Sequence, residues 1–336
     1  MELQKATART KRAWLGNGGH RLRSKAQNAL WTLFRYGIIS GICFVIIYPI
    51  IRKIAVAIMD KQDIYNPTIF LIPQNFTLDN IKTAMKVLNY FPTLGNTLVF
   101  VTITMLFTTI SCALAGYGFA RFHFPGKNIL FGLAILTILI PANTLMVPMY
   151  LHFRSFDFLG IIHLLTGNEG INLINTYWPT TISALTANGL KAGLFIYIFR
   201  QFFRGLPKEI EESALIDGAG GFKTFFRIML PNAVPPLITV LLFSFVWQYN
   251  DSFYTSLYMS EMNLMPTMVA SIAANANTVA QSMLPGGYDP NVKIDPNYIA
   301  MIVDTGILLV IVPLLVLYLF VQRYFVESVE RSGIVG

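Results

Sequence analysis

The residues of this sequence that could do chemistry are few, and their spacing argues first against catalysis. His20, His123, His152 and His163 are scattered, no His-Glu-x-x-His stretch occurs, and no serine or cysteine has the partners that would activate it. Gly126-Lys127 is followed by Asn128, and Arg121 stands where a phosphate-cradling loop needs its first glycine, so no nucleotide site is expected. Lys191 and Asp304 fall inside long apolar stretches, where a charge at the bilayer centre costs about 2.5–3.5 kcal/mol. Two readings stand for each. Lys191 snorkels to an interface and Asp304 sits near the outer end of its helix, or they face an internal cavity and meet polar solute. Trp247-Gln248-Tyr249-Asn250-Asp251 combines aromatic faces that stack on sugar rings with amide and carboxylate groups that bond hydroxyls. Interfacial anchoring accounts for Trp247 and Tyr249 equally well.

The elements that must position these residues are membrane spans. Of 336 residues 54% are hydrophobic and only 12% charged, and the mean hydropathy is positive, a composition foreign to soluble domains. Crossing a hydrocarbon core takes roughly 20 mainly apolar residues. Residues 91–120, 128–151 and 228–250 meet that standard without a formal charge. Three further stretches carry blemishes: 36–59 with Arg52 and Lys53, 171–199 with Lys191, and 298–321 with Asp304. The expected fold is therefore an all-α integral membrane protein of six transmembrane helices.

The net charge of +8 follows the same topology. With the amino terminus inside, Arg35, Arg121, Lys127, Arg200, Arg204, Lys208, Lys223, Arg227, Arg323, Arg331 and the basic run before residue 26 all become cytoplasmic. Far fewer cations (Arg52, Lys53, Lys61, Lys82, Lys86, Arg154, Lys293) lie outside, and both ends are placed in the cytoplasm. The partner of this charge is the lipid bilayer, not nucleic acid. The amino-terminal basic stretch is too long for a cleavable signal, so the first span is read as uncleaved. Cys43 and Cys112 lie inside spans and form no CxxC pair, which argues against disulfide or metal roles.

Two outer segments are long. In 60–90, Thr77-Leu78-Asp79-Asn80 followed by Ile81, Ala84, Met85 and Leu88 reads as a capped amphipathic helix on the outer surface. Segment 251–297, with Leu284-Pro285-Gly286-Gly287, reads as mostly irregular. Each is either a plain connection or a landing surface for an external partner. Between the fourth and fifth spans, 204–236 is cytoplasmic. Pro207 suits a first helical turn, and Glu209, Glu211 and Glu212 favour the positive end of a helix dipole. Gly218 permits a sharp exit, and an aromatic turn with Phe222, Phe225 and Phe226 leads to Leu230-Pro231 at the start of the fifth span. Two short helices meeting at a glycine make a docking knob.

Glu212-Ser213-Ala214, Gly218, Ile228, Leu230 and Pro231 resemble the EAA signature of ABC importer permeases, with Ser213 in place of the first alanine. Asp217-Gly218-Ala219 and the pair Pro231 and Pro235 are similar to the carbohydrate branch that includes maltose-type permeases. The resemblance extends over roughly 94–336 through Ala120-Arg121-Phe122-His123-Phe124-Pro125-Gly126-Lys127, Asn175-Thr176-Tyr177-Trp178, Trp247 to Asp251, and Gln322-Arg323-Tyr324-Phe325-Val326. It implies a basic cytoplasmic segment (1–30), a six-span permease domain (31–325) with a cytoplasmic EAA coupling-helix loop, and a cytoplasmic tail (326–336). It implies a bacterial inner-membrane importer subunit that moves a sugar by ATP-driven alternating access. The implied partners are a second homologous permease, two ATPase subunits and an extracytoplasmic solute-binding protein. No cofactor is implied on this chain, while ATP and Mg belong to the partner ATPase. Glu212, Ser213, Ala214, Asp217 and Gly218 inherit ATPase docking; Lys191, Trp247, Gln248, Tyr249, Asn250, Asp251 and Asp304 are pathway candidates. The alternatives are an ABC permease for another polar solute and an ion-coupled secondary transporter.

Overall fold

The computed structural model describes the backbone of residues 2–284 and 293–333, and the side chains of 27–214, 216–284 and 293–323. Pro285-Gly286-Gly287 lies outside the described residues, as do the side chains of the 326–336 tail. The described chain is helical, with β pairing reduced to isolated bridges of Met59 with Phe76 and Phe156 with Ile171. Two compact units are distinguished, Met1–Leu78 and Asp79–Gly336.

The first unit is α1 (Glu2–Ala57), whose 31-residue apolar part from Gln27 is long enough to span a bilayer. A 3₁₀ turn, Asp63–Tyr65, follows. Asp63 is buried there and accepts hydrogen bonds from the Gln74 and Asn75 N–H groups and from Asn75 Nδ2, each at 2.8 Å.

The second unit opens with α2 (Asp79–Leu88), the amphipathic helix expected from 77–88, with Asn80, Thr83, Ala84, Val87 and Leu88 turned inward. Asn89, left-handed at φ 43°, redirects the chain into α3 (Tyr90–Arg121), a single 32-residue span. Its buried residues recur every three to four positions, from Thr93 and Thr97 through Thr104 and Thr108 to Cys112 and Tyr117, which is one helical face. That face runs through two separate cores. One gathers Leu88, Phe100, Phe153, Tyr249, Tyr258, Met265 and Ile302; the other gathers Cys112, Tyr117, Phe195, Phe199, Phe203, Phe225 and Met229.

The next two expected spans are each divided into two helices. The 128–151 stretch is α4 (Lys127–Leu139) and α5 (Ala142–Arg154), bent by 105°. Pro141 explains the bend, because a residue before proline is driven out of helical geometry and Ile140 is extended at ψ 121°. After a short α6 (Ile161–Thr166), the expected 171–199 span is α7 (Trp178–Leu185) and α8 (Ala192–Gly205). Ala187 and Lys191, left-handed at φ 54° and 60°, flank Asn188-Gly189 and hold that gap open.

The loop 206–208 leads to α9 (Glu209–Ile216), which starts two residues after Pro207 and not at it. Then come α10 (Gly221–Thr224), a π-helical turn Phe225–Met229 and α11 (Leu230–Asn232). The fifth span starts later than expected, at α12 (Val234–Asn250), across an 83° bend. Pro235 and Pro236 lack the N–H groups that would continue the preceding helix. The 251–297 segment, expected to be irregular, instead holds α13 (Phe253–Tyr258) and the 18-residue α14 (Met265–Ser282), which packs on α2 and on the long final helix α15 (Pro296–Gly333). Small residues spaced along α14 (Ala276 and Ala280, with Ile272) permit that packing, a helical signal hidden by its Met and Asn content. The described residues thus hold three unbroken spanning helices, and up to five spans if each bent pair crosses once.

Candidate functional site

Two places in the second unit bring the chemically active residues together. The first is the turn α9–α10. Backbone bonds from the Asp217 N–H to Ser213 O and from the Ala219 N–H to Ala214 O close α9. Gly218 exits at φ 76°, a conformation glycine adopts without steric cost. Glu212, Ser213, Asp217 and Gly218 are exposed, and Ala214 is buried against its own chain. Ile216 and Phe222 stand 86% and 75% exposed at the tip, so the turn presents apolar surface as well as charge. Glu211 points the other way. Its Oε1 accepts the Tyr117 hydroxyl at 2.5 Å, and its Oε2 lies 3.4 Å from Arg121 Nε. Beside it opens a cleft of about 1300 Å³ lined by Arg121, Lys127, Arg200, Arg204, Lys208 and the two glutamates. Arg200 lies over the Phe131 ring at 3.9 Å.

The second place is a cavity of about 220 Å³ where both broken spans meet the end of α12. Thr137 and Ala142 line it from either side of the α4–α5 bend, Asn188 and Lys191 from the α7–α8 gap, and Gln248, Asp251 and Tyr258 from the junction of α12 and α13. Asp251 is partly buried and caps α13, its carboxylate accepting the Tyr254 and Thr255 N–H groups and the Thr255 hydroxyl. Burial raises its pKa, and those hydrogen bonds work against the rise. Chemically the cavity offers hydroxyls, amides, one ammonium and one carboxyl to a polar neutral guest.

Of the pathway candidates, the structure brings together Lys191, Gln248 and Asp251. Lys191 is exposed at the non-helical start of α8 and does not lie within a continuous span. Trp247 packs between Phe195 and Phe243, with ring centroids at 5.6 and 5.3 Å. Tyr249 is buried and donates to Val310 O at 2.9 Å, while the exposed Asn250 donates to Val246 O. Asp304 lies on α15, away from the cavity lining. Sequence reasoning missed Glu211 and Tyr117 as a pair with Arg121, although Tyr117 and Arg121 sit one turn apart on one helix face. It also missed Asn188, although Asn-Gly inside an apolar run is a breaker signal. Cys43 is exposed and Cys112 buried, both as free thiols. Among the described residues, no three of His, Cys, Asp and Glu converge to hold a metal.

An all-α, multi-pass fold whose broken apolar helices wall a polar cavity defines a membrane transport component. The chain belongs to the family described as the binding-protein-dependent transport system inner membrane component, whose model matches residues 110–331. It is a membrane permease component of a transport system. Similar proteins include the arabinooligosaccharides transport system permease protein AraQ of Halalkalibacterium halodurans, 27% identical over 88% of this chain and 93% of that one. The polygalacturonan/rhamnogalacturonan transport system permease protein YtcP of Bacillus subtilis is 25% identical over 92% of this chain and all of its own length. In fold the chain is similar to a solved bacterial ABC transporter involved in the import of the acidic polysaccharide alginate. That likeness has a TM-score of 0.67 at 16% identity and covers 89% of this chain and 98% of the other.

Proposed function

We propose that this chain is one of two permease subunits of a sugar or oligosaccharide importer of the maltose-permease type, driven by a pair of cytoplasmic ATPases that carry ATP and Mg and fed by an external solute-binding protein. Six crossings are assigned: the apolar part of α1, α3, α4–α5, α7–α8, the stretch ending in α12, and α15. The observation that carries the reading is the exposed knob of α9, Gly218 and α10, with Glu212 outward and apolar Ile216 and Phe222 at its tip. Such a knob seats in a groove on an ATPase, Glu212 pairing with a basic group there. Ser213, Asp217 and Gly218 form the contact surface, and Ala214 supports it from within. The sugar-transport relatives, and the hydroxyl- and amide-lined cavity reached by Lys191, Gln248 and Asp251, support the solute class. Closure of the ATPases would draw the knobs together and tilt the spans between inward- and outward-facing arrangements.

Glu212→Lys tests the docking directly. Co-purification of the ATPase should fall at least about tenfold, because truncating or reversing one partner of an interfacial charge pair costs roughly 2–5 kcal/mol. Insertion of the chain into the membrane should be unchanged, and undiminished ATPase recovery would reject the assignment.

A further inference from the structure

We infer that Glu211 is a positioning residue that, through Tyr117 and Arg121, ties the movement of α9 to α3 and thereby to the wall of the cavity. The inference rests on the docking of α9 proposed above. Adjacent residues on a helix point about 100° apart, so Glu212 faces out while Glu211 reaches inward. Arg121 and Glu211 side chains are only 7% and 16% exposed, and Tyr117 is buried. Arg121 Nη2 also donates to Leu206 O at 2.8 Å, at the residue that ends α8. The Tyr117 ring meets Phe203 at 5.6 Å and Phe225 at 5.2 Å between centroids. The end of α3 therefore grips α8, α9 and the π-helical turn at once.

A shielded ion pair is weak evidence for stability, since desolvation offsets much of the attraction; its value here is directional. Six residues up α3 from Tyr117, about 9 Å along a helix, Ser111 Oγ donates to Ala184 O at 2.6 Å. One turn further, a Cβ added at Gly189 would lie 3.2 Å from Thr108 Oγ1. Ala184 is in the last turn of α7 and Gly189 lies within the α7–α8 gap, and Ser183, Asn188 and Gly189 line the cavity. One unbroken helix thus connects the docking knob to the gap, with direct contacts at both ends.

The test uses the assembled transporter in lipid vesicles, with Cys43→Ser and Cys112→Ala to remove the native thiols and Asn188→Cys as the reporter. The labelling rate of that reporter by a small water-soluble maleimide is measured with and without ATP plus vanadate. In this parent the rate should change roughly fivefold or more, the scale of typical coupling energies. Glu211→Gln should abolish most of that change while the ATPases still co-purify, and exchanging the charges with Arg121→Glu and Glu211→Arg should restore part of it. Tyr117→Phe, which removes one hydroxyl, should give a partial loss and covers the case of a misfolded Glu211 variant. A full nucleotide response in both Glu211→Gln and Tyr117→Phe overturns the inference, as does a parent without any response. Loss of the ATPases from Glu211→Gln overturns it as well, by making Glu211 a docking contact. Failure of the parent itself to retain ATPases would instead defeat the docking of α9.

Discussion

Asp63 shows how one carboxylate organises the segment after α1 through backbone and amide donors. Its pKa is held below the ordinary 3.8, chiefly by the Asn75 N–H and against the opposing effect of burial. A depressed folded-state value means that the carboxylate stabilises the folded segment fully above its unfolded pKa. That contribution fades as the pH falls from 3.8 through the lower folded value. The protection of the Gln74 and Asn75 amides relative to their intrinsic exchange should therefore fall as the pH drops below 3.8, and in Asp63→Asn it should already be low at pH 5. Nothing in the sequence marks Asp63, because its partners lie 11 and 12 residues away across a turn. The helix and glycine exit around Glu212 were legible for the opposite reason: a short-range pattern ending in Gly218 encodes a local turn, and α9 leaves through Gly218 at φ 76°. Glu211 carried no such mark, since its meaning comes from Tyr117 and Arg121, some ninety residues earlier.

At the scale of elements, apolar length was readable and continuity was not. The expectations for 91–120 and 298–321 match α3 and α15, which run unbroken even though Pro313 removes one backbone donor inside α15. The 128–151 stretch is also strongly apolar and 171–199 less so, with Lys191 and three asparagines, and Pro141 and Asn188-Gly189 divide them into shorter helices. Helix packing makes a sharper demand than hydropathy reveals. At Gly116 an added Cβ would stand 2.6 Å from Phe199 Cβ and 3.0 Å from the Arg200 nitrogen, both fixed parts of α8. Gly193 is as restricted, by the Ala134 carbonyl oxygen and Thr137. Gly116→Ala should destabilise the α3–α8 contact by about 1–3 kcal/mol. Gly306 offers a control, because the atom 2.5 Å from its added Cβ is the end of the Ile272 side chain, which can turn aside. Gly306→Ala should remain within about 1 kcal/mol of the parent, helped by alanine's helix propensity. Thermal unfolding in detergent distinguishes the two variants.

Over the whole molecule, α3 belongs to both cores, and the outer core is closed by α14, the helix least legible in the sequence. The Met, Asn, Gly and Pro content of 251–297 suggested mostly irregular structure, but burial of Ile272, Ala276 and Ala280 against α2 and α15 decides the state of α14; only a folded partner reveals that surface. For the proposed importer, solute uptake into vesicles should require ATP and the ATPases and should not respond to an imposed ion gradient alone. Removing residues 326–336 should lower transport-coupled ATP hydrolysis if the tail touches the ATPases, and an unaltered rate would assign it no coupling role.

The elbow at Ile140 and Pro141 carries an obligation beyond transport. Each arm has only 13 residues, about 20 Å of helix, too short to cross a hydrocarbon core of about 30 Å. Non-helical backbone at membrane depth is tolerated only where protein or water covers it; Ile140 lines the polar cavity, while Leu139 beside it is 74% exposed in the single chain. In the importer proposed above, a subunit made without its companion permease would show Leu139 to the cell's membrane proteases. Its half-life in pulse-chase labelling should lengthen when the companion permease is produced alongside it.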